Sequence, residues 1–154
     1  VRPIVEYCSP AWSPTAIGQI NKIESVQRWF TERLKSLSNL TYDERLIKLG
    51  NDRLELRRLR ADLLLCYKIL HHSVDLHQED FFSISSTTKM RRNSYKLIVP
   101  NSRINARANY FSVRIINVWN RLSDDIVNAS SYSSFNYKLM NTDLSFGLIG
   151  KPYH

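Results

Sequence analysis

Apolar positions recur every three or four residues along most of the chain, the spacing that places them on one side of an α-helix. Ile17, Ile20, Ile23, Val26, Phe30, Leu34 and Leu37 follow it and predict a helix beginning near Thr15. Glu24 stands four residues before Arg28, the order that favours an ion pair on a helix surface. The stretch LTYDERLIKLG offers Thr41 and Glu44 as a capping box and Gly50 as a stop, so a short helix is predicted over 42–49. The longest pattern, NDRLELRRLRADLLLCYKILHH, predicts a helix capped by Asn51 or Asp52. Its buried face would be Leu56, Leu59, Leu63, Cys66, Tyr67 and Leu70. Helical spacing returns with Phe111, Ile115, Val118, Trp119 and Leu122, and again with Tyr132, Phe135 and Leu139.

Breaks in this pattern suggest the organisation. Pro10 and Pro14 flank Trp12, which predicts an extended connector at the end of an upstream element. Ser83 to Thr88 reads as a Ser/Thr linker, and YKLIVP, closed by Pro100, as an extended segment. A short strand pair near 93–100 is allowed. The expected fold is mostly α: a connector over 1–14, a helical lobe over 15–74, a linker over 75–88, a basic C-terminal helical lobe over 89–141 and a tail over 142–154.

Composition narrows the class. With 43% hydrophobic and 23% charged residues among 154, the chain has the make-up of a folded globular protein. No apolar run reaches the roughly 18–20 residues that cross a bilayer, and Val1-Arg2-Pro3 begins no signal peptide. The chain opens without an initiator Met and is expected to be a piece of a larger protein. Cys8 and Cys66 make no disulfide framework, so an intracellular setting, nuclear or cytoplasmic, is expected.

Charge changes the picture most. The chain carries 22 Lys or Arg and 14 Asp or Glu, a formal charge of +8. From Phe81 to Ser123 there are eight cations, Lys89, Arg91, Arg92, Lys96, Arg103, Arg107, Arg114 and Arg121, and no carboxylate. The whole excess therefore sits in one interval. Solvated surfaces normally mix both signs, so this interval predicts an anionic partner. Asn93, Ser94, Tyr95, Asn101, Ser102 and Asn105 add donors suited to phosphate and sugar oxygens. Lys89, Arg91, Arg92, Lys96, Arg103 and Arg107 are the first candidates for nucleic-acid contacts. Arg53, Arg57 and Arg60, at i, i+4 and i+7 on the long helix, are the second. Tyr95 and Tyr110 could stack on bases, while Trp119 and Arg114, at helical spacing, are expected to be structural.

Catalytic and metal signatures point elsewhere. Asp124-Asp125 follows Ser123 directly after a helix, as a capping residue and an acidic first turn would. Cys66, His71, His72 and His77 lack the spacing of a zinc site, and His71-His72 fit a helix C-terminus instead. No phosphate-binding loop, nucleophile elbow or H-E-x-x-H occurs. No catalytic or metal-binding residue is predicted.

Five phrases in order carry a further signal: VRPIVEYCSPAWSP, INKIESVQRWFTERL, LTYDERLIKLG, LELRRLRADLLLCYKILHH and NYFSVRIINVWNRLSDDI. Together, over nearly all of 1–140, they resemble the C-terminal end of reverse transcriptases from non-LTR (LINE, jockey-like) retrotransposons. That resemblance implies a helical thumb over 15–74 and a post-thumb extension beyond it. The parent would be an RNA-directed DNA polymerase whose Mg2+ ions lie in a palm outside this chain. Partners would be template–primer or target RNA or DNA and the remainder of the reverse transcriptase. A helical module that docks on the palm or another subunit is the alternative. Trp29 stands where the family commonly has a basic residue, Ser123 where it commonly has Pro, and GNDRLELRR is less regular than the usual phrase.

Overall fold

The computed structural model describes residues 6–85, 95–100 and 110–150. The structure is mostly helical. Its elements are α1 (Ser9–Trp12), α2 (Ile17–Glu32), α3 (Tyr42–Lys48), α4 (Leu54–Leu70), α5 (Gln78–Phe81), α6 (Phe111–Trp119), α7 (Asp124–Val127), α8 (Tyr132–Met140) and a 3-10 turn, Ser145–Gly147. No helix among the described residues is long and apolar enough to cross a membrane. The chain divides into two compact units, Val1–Leu59 with Gly147–His154, and Arg60–Phe146. The division falls within α4.

In the first unit, the connector around Trp12 is not extended. Ser9–Trp12 forms a turn of helix with Pro10 in its first positions, where a missing N–H goes unused. α3 follows its predicted bounds closely. The Thr41 N–H donates to Glu44 Oε2 at 2.8 Å and the Glu44 N–H returns to Thr41 Oγ1 at 3.4 Å. At the other end Gly50 adopts φ 59, and the Asn51 N–H reaches the Leu46 carbonyl at 2.9 Å. That left-handed residue closes the helix as a glycine C-cap does.

Two expectations for α2 fail. Ile17, Val26 and Phe30 are exposed, and the helix ends at Glu32 rather than running through Leu37. The buried side is formed by Ile20, Glu24 and Thr31. Residues three apart turn back by about 60° per step on a helix of 3.6 residues per turn. Ile17, Ile20, Ile23 and Val26 therefore wind around the helix instead of lining one face. Glu24 is likewise not on the surface. It accepts a short hydrogen bond from the Tyr42 hydroxyl and another from the Leu54 N–H at 3.0 Å. The first N–H of α4 is thus capped by a carboxylate from α2.

The second unit holds the larger apolar core. Leu63, Cys66, Tyr67, Ile69 and Leu70 of α4 are buried, as are Phe111, Ile115, Ile116, Val118 and Trp119 of α6 and Phe135 and Leu139 of α8. Tyr67 stacks on Phe135 with centroids 4.3 Å apart and donates its hydroxyl proton to the Ala129 carbonyl at 2.8 Å. Leu56 and Leu59, expected in the buried face of α4, are only half-buried. α4 ends at the two histidines: His72 takes a left-handed φ of 50 and the Ser73 N–H closes on the Lys68 carbonyl at 2.8 Å.

The segment after Tyr95 forms no strand among the described residues. It makes one antiparallel bridge, Ile84 with Leu97. Leu97 spends its other hydrogen bonds on a side chain: its N–H donates to Asn120 Oδ1 at 2.9 Å and its carbonyl accepts from Asn120 Nδ2 at 2.8 Å. A single amide side chain therefore takes the place of a neighbouring strand.

Candidate nucleic-acid interface

Of the six cations placed first by sequence, Lys89, Arg91, Arg92, Arg103 and Arg107 lie outside the described residues. Lys96 is exposed, and the backbone around it is fixed. The Trp119 indole N–H donates to the Tyr95 carbonyl at 2.9 Å, Asn120 grips Leu97, and the Ser85 N–H donates to the Lys96 carbonyl at 2.9 Å. Tyr95 and Leu97 face inward on either side. The ammonium of Lys96 is thus carried on a hydrogen-bonded stretch within the basic interval.

The remaining cations of that interval are used differently. Arg114 is paired with Asp62 at 3.0 Å, both side chains being largely buried, so the structural reading of Arg114 holds. Arg121 is exposed, with its guanidinium 4.5 Å from the centroid of the Phe146 ring. Trp119 is fully buried and cannot stack on a base.

The arginine stripe of α4 meets carboxylates of the chain itself. Arg53 Nη2 lies 2.7 Å from Asp43 Oδ1 and 2.8 Å from Asp43 Oδ2, and Arg57 pairs closely with Glu6. Arg60 is half-buried. A cation in the first turn of a helix opposes its dipole, and Asp43 is the anion that offsets Arg53. These pairings account for Arg53 and Arg57 without an external ligand.

Asp124 and Asp125 open α7 after Ser123, whose backbone takes the N-cap position although its hydroxyl makes no cap. Asp125 pairs with Lys138 at 2.7 Å. His71 lies between two rings, 4.0 Å from the Tyr67 centroid and 4.5 Å from that of Tyr95. Burial holds its imidazole below the ordinary 6.5, with a hydrogen bond to the Val127 backbone pulling the other way. No group of three or more His, Cys, Asp or Glu side chains that could hold a metal ion occurs among the described residues.

A groove of about 520 Å³ in the second unit is lined by apolar groups including Phe81, Ile98 and Ile116, and by Glu79 and Asp80. Its two carboxylates give it the wrong sign for a phosphate.

Sequence reading missed one surface. Lys22, Val26 and Trp29 of α2 and Arg33 at its C-cap stand at i, i+4, i+7 and i+11, and all four are exposed. The spacing was visible; it was obscured by the isoleucines beside it. Neither protein-family models, curated proteins nor solved structures match this chain.

Proposed function

We propose that this chain is the thumb and post-thumb part of a non-LTR retrotransposon reverse transcriptase, and that it helps hold template–primer or target nucleic acid through phosphates. Catalysis belongs to the rest of the parent polymerase, whose palm would carry the metal ions. The observation behind the reading is the interval 81–123, with eight cations and no carboxylate. Lys96, outward on a backbone pinned by Trp119 and Asn120, is consistent with a positioned phosphate contact. The five ordered phrases of the sequence support the parentage.

Phosphate binding releases counterions, so affinity must depend steeply on salt. If Lys89, Arg91, Arg92, Lys96, Arg103 and Arg107 engage phosphates, log affinity falls against log salt with a slope of about −4 to −5. Salt titrations of single-strand and duplex binding measure the shallower and steeper ends of that range, and a flat response defeats the reading. Charge reversal at Arg91, Arg92 and Lys96 separates the alternative: loss of docking to a palm fragment, with nucleic-acid affinity unchanged, identifies a protein-interaction module.

A further inference from the structure

The exposed side of α2 has an unusual composition. Its stripe mixes cations and apolar groups: Lys22, Val26, Trp29 and Arg33, with Phe30 beside them. Trp29 is 56% exposed, Phe30 49% and Val26 40%. Arg33 lays its guanidinium over the Trp29 ring, 3.4 Å from the centroid, and the residue stays exposed. Glu24 is buried on the other side of the helix, and exposed Glu32, three residues after Trp29, flanks the stripe without lying in it. No carboxylate interrupts it.

Each familiar role for such a face makes a different demand. Protein interfaces are depleted of lysine, whereas Lys22 opens this stripe. Helices that lie in a membrane surface separate cations from apolar groups onto opposite faces. On α2 both kinds share one face, and the opposite face is already buried against its own unit. Single-stranded nucleic acid asks for the observed mixture: aromatic planes for unstacked bases and cations beside them for the backbone. A duplex offers no free base faces. From Lys22 to Arg33 the helix rises about 16 Å at 1.5 Å per residue, long enough for several contacts.

We infer that the Lys22–Arg33 face of α2 binds single-stranded nucleic acid, Trp29 and Phe30 stacking on bases while Lys22 and Arg33 take phosphates at the two ends of the site. Arg33 both backs the indole and meets the phosphate at its end. The inference rests on the reading of the chain as a nucleic-acid binder. It adds a contact of different chemistry, carried by the first unit, with a preference for open strands.

The test compares the 154-residue chain with a Trp29→Ala, Phe30→Ala variant on short oligothymidylate and on a duplex of equal length. Both residues are exposed, so the variant should unfold at the temperature of the parent. Affinity for oligothymidylate is expected to fall about tenfold or more, and duplex affinity to stay unchanged. In a Trp12→Phe background, oligothymidylate should quench indole fluorescence, and Trp29→Phe should remove that quench. Unchanged affinity for both ligands overturns the inference, as does an equal loss on both. A change in self-association with oligothymidylate affinity intact would make the face a protein contact and also overturns it. Charge reversal at Arg91, Arg92 and Lys96 tests the broader reading separately. If it weakens duplex binding while the ring variant is silent, only the stacking site fails. If it is silent while the ring variant acts, the stacking site stands and the phosphate band fails.

Discussion

Arg114 and Asp62 are joined at two points, Arg114 Nε to Asp62 Oδ2 at 3.0 Å and Nη2 to Oδ1 at 3.1 Å. The pair lies within the second unit and ties α6 to α4. A bidentate pair of this kind holds angle as well as distance. Removing one partner strands a buried charge, which costs about 3–5 kcal/mol. Asp62→Ala should lose that much stability in urea unfolding. Asp125→Ala, which breaks the more exposed pair with Lys138, should lose less than about 1 kcal/mol.

Tyr42 donates its hydroxyl proton to the buried carboxylate of Glu24 and accepts from Gln27 Nε2 at 3.1 Å. Burial, with the Glu24 hydrogen bond and charge, pushes the Tyr42 phenol well above its ordinary 10.0, so it stays protonated through the working range. Tyr42→Phe keeps the ring and removes one donor to a charged acceptor. The expected loss is about 1.5–3 kcal/mol, read from chemical denaturation. A loss near zero would show that Glu24 finds another donor.

His71 predicts a pH dependence. Its Nε2 is buried and has no hydrogen-bond partner among the described residues, so a proton placed there is poorly accommodated. The groups facing it are the rings of Tyr67 and Tyr95, the neighbouring His72 and the Val127 backbone. Because the folded imidazole titrates below 6.5, the unfolded chain binds the proton first. Its contribution is complete above that value, falls as pH drops below it, and levels off once the folded imidazole also protonates. Unfolding curves at pH 7.5 and 5.5 should differ, and His71→Phe, which preserves the ring stack, should shrink the difference.

Two left-handed residues end helices, and only one is glycine. Gly50 closes α3 at φ 59, while His72 closes α4 at φ 50 with a side chain attached. A residue with a Cβ pays about 1–2 kcal/mol in this conformation. Gly50→Ala should therefore destabilise by about 1 kcal/mol. His72→Gly should change stability in the opposite direction, by less, because glycine also frees the unfolded chain. Thermal melts of the two variants check both signs.

Much of the fold could be read from the sequence because local rules decide it. Thr41, Glu44 and Gly50 specify both ends of α3 within ten residues, and Phe111, Ile115, Val118 and Trp119 share one face of α6 over a short helix. The reading failed where partners come from far along the chain. Nothing near Leu54 announces that Glu24 will cap it, and Asn120 gives no local sign that it will replace a strand beside Leu97. α2 failed for a geometric reason, since repeated spacing by three winds around a helix. The charge band was legible as composition alone. Helical spacing set Arg114 apart as structural, but its partner Asp62, 52 positions away, had no local sign.

The Glu55 carboxylate accepts the N–H groups of Ile149 at 2.6 Å and Gly150 at 3.0 Å, over sequence separations of 94 and 95. A ribosome releases the acceptor long before it makes these donors. The Glu55 contacts can form only after Arg60–Phe146 has been made, whereas that unit is one continuous stretch. Within this stretch, the contacts begun first are therefore completed last.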